Sequence, residues 1–450
     1  MTGGYRTVIA VICAVVVAAI AGVALSGGGE DEKGADSASR SDGRAGRGTA
    51  KAPRTPLPPI GRVARRVERI RELRFKKTPV PRRVTSEQTR REAIGQLDRD
   101  YPAPRRAADE EVLKLLGLLA PRNDLRRIAG GVFGGEVAGF YDVRTKRLAV
   151  VEGASGGPTF QEITVAHELV HALEDQRFAL QDSEQLGVED AVTAYTALIE
   201  GTATAVMTEY ARRYLTGKAS LGELASSLTG AAGGAKLPPY IEASLTFPYF
   251  KGSQFVSRLY EIGGWTLVNA AFKRPPVSSE QILHPERYLR VEQPDRLTLR
   301  AGPLLGPGWR RLAGGSLGEF DTAQLLERGE VDDADKAAEG WGGGRYELWR
   351  TGPLPDRRCP APCRRRDALV LGWSWDTERD AREFTPALSR YLTRGLRARS
   401  QAPGRLTLPG GGAAAVIQRA RQTTLAFAPT PRLAALLASR ALASTQRPGR

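Results

Sequence analysis

Apolar and small residues recur at three- and four-residue steps in two runs near the middle of the chain, and each run predicts a helix. The first opens on Thr159-Phe-Gln-Glu162, a capping box that follows Gly156-Gly157-Pro158, and continues through Leu173. From Ile163 to Leu173 its one charged side chain is Glu168. The second spans 190–214 and lines up Val192, Tyr195, Ile199, Ala203 and Val206. Upstream, 62–75 and 86–97 read as amphipathic helices joined by an extended Pro79/Pro81 piece, and 110–119 as a leucine-rich helix. These three are expected to pack over the domain that holds the central helices, without carrying chemistry. Alternation over 136–151 predicts a hairpin that turns at 142–146. Downstream of a Gly- and Ser-rich stretch (216–236), helices are expected at 249–262 and 265–272, ended by Gly263-Gly264 and Pro275-Pro276. A short helix capped by Ser278 follows.

Beyond residue 315 the pattern changes. A helix at 322–328 precedes strands at 341–349 and 368–375, a helix at 377–396, strands at 414–418 and 423–427, and a helix at 432–443. That order suggests a small α+β domain with no catalytic constellation of its own. At the other end, residues 7–25 form an uninterrupted apolar run after Arg6. Its length suits a signal peptide or an uncleaved signal anchor, the latter preferred, and predicts an exported chain, membrane-held or secreted. The expected organisation is a signal segment (1–29), a disordered linker (30–58), a basic helical region (59–130), a mostly helical domain with a small sheet (131–295) and a C-terminal α+β domain (296–450).

Composition refines this picture without overturning it. The 41% hydrophobic and 26% charged fractions of the 450 residues are ordinary for a globular protein. The net charge of +16 is not evenly spread. Residues 40–90 hold sixteen Lys and Arg against four Asp and Glu, and 384–450 hold eleven Arg and no acid, which leaves the centre mildly acidic. Basic flanks beside an anchor suit anionic lipid or cell-wall polymer. Nucleic acid is disfavoured, because no aromatic residues are interleaved and no reading module is present. Three cysteines exclude a disulfide framework, but Cys359-Pro-Ala-Pro-Cys363 suits one short-range bridge in an exported protein.

The chemistry lies in His167-Glu168-Leu-Val-His171, which uses two of the three histidines in the chain. Positions four apart share a helix face, so both imidazoles can meet one Zn²⁺. Glu168 then sits where it can take a proton from metal-bound water. A third ligand is required. The spacing that would place a histidine after the motif fails, since Glu174 and Arg177 hold the Gly and His positions. On the second helix, Glu200 lies among apolar and small residues, where a carboxylate is costly to bury unless a cation meets it. Gly201 and Ala203 would let that helix approach the first closely. Glu200 is therefore the expected third ligand, with Glu189 and Asp190 as substitutes.

These residues resemble the gluzincin-type zinc metallopeptidases, and more closely the exported bacterial ones. The resemblance rests on Gly139-Phe-Tyr-Asp142, the run His167 to Gln176, Glu200-Gly-Thr-Ala203, and Glu280 to Tyr288. It implies a zincin-like fold, one zinc ion, a peptide or protein substrate and Glu168 as general base. It also implies an edge strand beside the motif helix that binds substrate main chain, here expected at 148–151. An oxyanion donor is expected from His284, with Tyr288 and Tyr141 as alternatives. Many relatives place an aspartate four residues after the glutamate ligand. This chain has Thr204 there, so Asp175 or Glu174 is expected to orient a histidine instead. Two rival readings stay open: a non-catalytic envelope scaffold on the same fold, and a zinc amidase acting on cell-wall polymer.

Overall fold

The two central helices bury their apolar faces against one another and against a third. In a computed structural model, residues 57–134, 139–152, 157–181, 188–215, 237–353 and 359–448 are described. The apolar run at 7–25 and the linker expected over 30–58, apart from its last two residues, lie outside them. Among the described residues, no helix is long and apolar enough to cross a membrane.

The N-terminal part holds α1 (Ile60–Arg71), β1 (Arg82–Thr85), α2 (Ser86–Asp100), α3 (Ala103–Leu115) and α4 (Leu125–Gly134). Next come β2 (Gly139–Asp142), β3 (Arg147–Glu152), α5 (Gly157–Phe178), α6 (Glu189–Tyr214) and α7 (Pro239–Lys273). Helix α1 drives Val63, Val67 and Ile70 into a core shared with Val165, Leu169 and Leu173 of α5 and Val206 and Tyr210 of α6. Helix α6 runs between α5 and α7. On its α7 side the contact is backbone against backbone: a Cβ on Gly201 would lie 2.7 Å from Gly252 Cα, and one on Gly252 would lie 2.9 Å from the Ala197 carbonyl carbon. Gly201 therefore serves the approach of α7, not of α5 as expected. Ala203 does face the core shared with α5.

The small sheet has the order β1-β3-β2. Strand β3 pairs parallel with β1 (Arg82 opposite Ala149) and antiparallel with β2 (Tyr141 opposite Leu148). Both edges of β3 are taken, so 148–151 cannot accept an added strand. The edge strand beside α5 is β2 instead. The sequence hid this because β1 is four residues long, Arg-Arg-Val-Thr, and shows no alternation.

Helix α7 starts ten residues before the expected 249 and keeps Pro248 inside it, where the ring would ordinarily break a helix. At Gly263-Gly264 the backbone leaves helical geometry, Gly264 standing at φ 60°, so two helices meet there at a kink, as the glycine pair implied. Two short helices follow, α8 (Ser279–Leu283) and α9 (Pro285–Leu289), then β4 (Arg296–Leu299) and α10 (Gly302–Leu305).

The C-terminal part comprises β5 (Trp309–Ser316), α11 (Glu319–Glu327), α12 (Ala334–Ala338), β6 (Trp341–Thr351), β7 (Asp367–Trp375) and α13 (Glu378–Arg390). It ends with β8 (Arg399–Ala402), β9 (Arg405–Thr407), β10 (Ala413–Arg419), β11 (Gln422–Ala428), α14 (Pro431–Arg440) and β12 (Leu442–Gln446). The chain is thus mixed α and β, as the α+β expectation required. Strands β5 to β11 form an antiparallel sheet of order β5-β6-β7-β11-β10-β9-β8, and β12 pairs with β4. The four expected strands are its centre; β5, β8 and β9 extend it. One face packs on α13 through Leu371, Trp373, Phe384 and Leu388, the other on α14 through Val370, Ala415, Ala426 and Leu437. Trp373 satisfies its indole N–H on Thr322 Oγ1 at 3.0 Å, and Trp375 on Thr423 Oγ1 at 3.2 Å. Cys359 and Cys363 are joined in a disulfide.

Helix α3 packs against both Leu245 and Tyr249 of α7 and the C-terminal part. Its Leu113 and Leu116 join the core under the C-terminal sheet, and Glu111 meets Arg350 of β6 at 2.9 Å. The C-terminal sheet is also tied to the foot of α6. Glu189 Oε2 accepts from Ser316 N at 2.9 Å, and Asp190 N donates to Ser316 Oγ at 2.9 Å; Asp190 Oδ2 also accepts from Ser279 N of α8 at 3.0 Å.

Candidate metal centre

The i, i+4 spacing on α5 sets His167 and His171 on one face, with ring centroids 4.7 Å apart. Glu200 reaches them from α6. Its Oε2 stands 3.2 Å from His167 Nε2 and 3.4 Å from His171 Nε2. One ligand atom from each of the three side chains lies within 4.8 Å of the others, and all three residues are buried. Ligand atoms at about 2.0–2.1 Å from a tetrahedral Zn²⁺ stand about 3.3–3.4 Å apart, so the two nitrogen–oxygen separations already match such an ion. Two imidazole nitrogens and a carboxylate oxygen are also a borderline-soft donor set that suits zinc. The residues present fit the group.

Their electrostatics point the same way. Burial pushes the His167 imidazolium down, to about 4, despite Glu200. Burial would lower His171 as well, but the Glu200 carboxylate beside it outweighs that and raises the ring to about 9. Two cationic rings at this separation repel, so only one of them holds a proton at a time. Burial alone would raise Glu200; His171 and His167 hold it down at about 2. A carboxylate kept ionised in this interior therefore faces two imidazoles, an arrangement a divalent cation satisfies better than one proton does.

Glu168 is held apart from these three. Its Oε2 accepts the Tyr141 backbone N–H of β2 at 2.7 Å. Its Oε1 is buried with no hydrogen-bond partner among the described residues. Burial lifts its carboxyl to about 8. One oxygen is thus fixed to the edge strand while the other is available.

The remaining expected residues lie elsewhere. His284 Nε2 contacts Glu319 Oε1 of α11 at 2.8 Å, and Tyr288 donates to Arg274 O at 2.9 Å. The neighbouring Ser279 is bonded to Asp190, and Asp190 is ten residues from Glu200 along α6, about 15 Å at 1.5 Å per residue. His284 and Tyr288 are not brought to the cluster. Glu189 and Asp190, the substitute ligands, are spent on Ser316 and Ser279. Asp175 accepts from the Tyr141 hydroxyl and Lys146 Nζ, both at 2.8 Å, so neither it nor that hydroxyl serves the metal ligands. Glu174 pairs with Arg71 at 2.9 Å. Nδ1 of His167 and of His171, and Thr204 Oγ1, have no partner among the described residues. The expected orienting carboxylate is therefore not among Asp175, Glu174 or the residue at 204.

Two residues that the sequence reading passed over stand close by. The Tyr249 ring of α7 lies 6.3 Å from the His167 ring. Arg71 is fully buried, with its guanidinium 4.4 Å from the Trp265 ring. Arg71 shares the spacing of Val63, Val67 and Ile70, and an arginine on an apolar stripe was the available signal. Nothing marked Tyr249.

Among known proteins, residues 310–437 match one family model, described as "Domain of unknown function (DUF8575)". The match lies within the C-terminal part and includes none of His167, Glu168, His171 and Glu200. No curated protein and no solved structure matches the chain.

Proposed function

We propose that the protein is a zinc-dependent metallopeptidase that hydrolyses peptide bonds. The observation that carries this reading is the convergence of His167, His171 and Glu200 from two helices at zinc-ligand spacing, beside a buried Glu168 with one free oxygen. In this reading the three side chains hold a single Zn²⁺. When bound, the ion polarises a scissile carbonyl and makes its water acidic enough to attack near neutral pH.

Glu168 would take a proton from the attacking water on Oε1 and return it to the leaving nitrogen. Its hydrogen bond to Tyr141 N keeps Oε2 occupied and aims Oε1. The outer edge of β2, not 148–151, is where an extended substrate chain would align, beside the Tyr141 N–H that Glu168 occupies. Tyr249, beside His167, replaces His284 as the side chain to test for oxyanion stabilisation.

The test is turnover of a generic peptide by wild type and Glu168→Gln, each loaded with zinc. The reading expects Glu168→Gln to keep the metal and lose at least about 10²-fold in kcat. Equal turnover by both proteins would overturn it. An apolar run at 7–25 that anchors the chain would set this activity at the outer face of the membrane, and a membrane-fraction assay of tagged full-length protein tests that address.

A further inference from the structure

Six arginines of the C-terminal part gather on one side of the sheet. Along β9, Leu406 is buried on the α13 side, so Arg405 and Thr407 point to the other face. Register confirms the side: Arg405 stands opposite Ala415 and Thr407 opposite Ala413, and both alanines pack in the α14 core. Arg399 stands opposite Thr407 and so shares that face. Arg419 follows Ala413, Ala415 and Ile417 in alternation, and its guanidinium donates to Ser439 O of α14 at 3.0 Å. Helix α14 adds exposed Arg432 and Arg440. Arg300, also exposed, lies next to its end, its backbone N–H bonded to Ala441 O at 2.8 Å. Six arginines thus occupy one face. No carboxylate occurs in 296–316 or 384–450, the segments that build it.

We propose that this face docks on an anionic phospholipid bilayer. Every cation on it is arginine, whose planar fork matches phosphate oxygens better than an ammonium does. The large exposed apolar side chains among the described residues, such as Tyr260 and Ile262, lie outside it, so attraction is electrostatic and needs no insertion. Its sheet face is covered by α14, which removes the stacking platform that single-stranded nucleic acid would use. The docking does not depend on the metal or on peptide hydrolysis.

The experiment partitions the full chain between buffer and vesicles of phosphatidylcholine alone or with about 30% phosphatidylglycerol, at about 0.1 M salt. The apolar run contributes equally to both compositions, so their ratio reads the charge. Wild type is expected to prefer the anionic vesicles by about tenfold or more. R399Q/R405Q/R432Q/R440Q, with an unchanged unfolding midpoint, is expected to lose that preference. A control with R62Q/R91Q/R122Q/R127Q, altering as many exposed arginines elsewhere, is expected to keep it. An equal ratio for the two compositions, equal loss in both variants, or tighter binding of duplex DNA than of anionic vesicles would overturn the proposal.

Discussion

The crossing of α6 and α7 offers a sharp perturbation, Gly252→Ala. The added Cβ would stand 2.9 Å from the Ala197 carbonyl carbon and nearer still to its oxygen. Both are backbone atoms that no rotamer change can move. Ordinary contacts to a carbonyl oxygen run at well over 3 Å, so the helices must part by about 1 Å or more. Overpacking of this kind costs about 1–3 kcal/mol. The displacement also reaches the cluster. Ala197 precedes Glu200 by three residues on the same helix, and zinc sites tolerate ligand shifts of about 0.2 Å. We expect Gly252→Ala to lower the unfolding free energy by about 1–3 kcal/mol in urea, and to weaken zinc affinity at least about tenfold in a chelator competition. Gly131→Ala is the control. Nothing lies within 4 Å of its Cβ position on α4, so it should be neutral or stabilise slightly. A folded Gly252→Ala that binds zinc as tightly as wild type would refute the claim that this crossing positions Glu200.

Two further predictions concern charges buried around the frame. Arg71 and Glu174 are both wholly inaccessible, so Arg71→Met should cost about 3–5 kcal/mol by stranding the carboxylate, while Arg71→Met with Glu174→Gln should recover most of it; equal midpoints for the single and double variants would contradict this. At the joint between α3 and the sheet, Glu111 and Asp367 share Arg350, and burial raises Asp367 well above the carboxylate range. The native state therefore retains a proton that the unfolded chain releases. Stability should fall as pH rises from the ordinary carboxyl range towards mildly alkaline values, and Asp367→Asn should flatten that slope. Unfolding midpoints at several pH values read it, and a steeper slope in the variant would count against the assignment.

How much was legible beforehand differed by type of information. The pairing of His167 with His171 follows from helical periodicity, which depends on neighbours four residues apart. Glu200 followed from the cost of burying a lone carboxylate. What failed needed partners far along the chain. Gly201 showed that something approaches α6, but not that Gly252 does. The carboxylates at 174 and 175 look alike in sequence, and only the arrival of Arg71, Tyr141 and Lys146 decides their use. The four-residue β1 turned the expected edge strand into a central one. In the C-terminal part, strongly alternating strands were evident, whereas β5, β8 and β9, rich in glycine, arginine or polar residues, gave no clear period.

The central claim is that His167, His171 and Glu200 grip one zinc ion, and the direct measurement is zinc per chain after dialysis. The account predicts one ion per chain for wild type and for Glu168→Gln, and none retained by Glu200→Ala or His171→Ala when both stay folded. Zinc retained undiminished by those two variants, or absent from wild type after reconstitution, would contradict it.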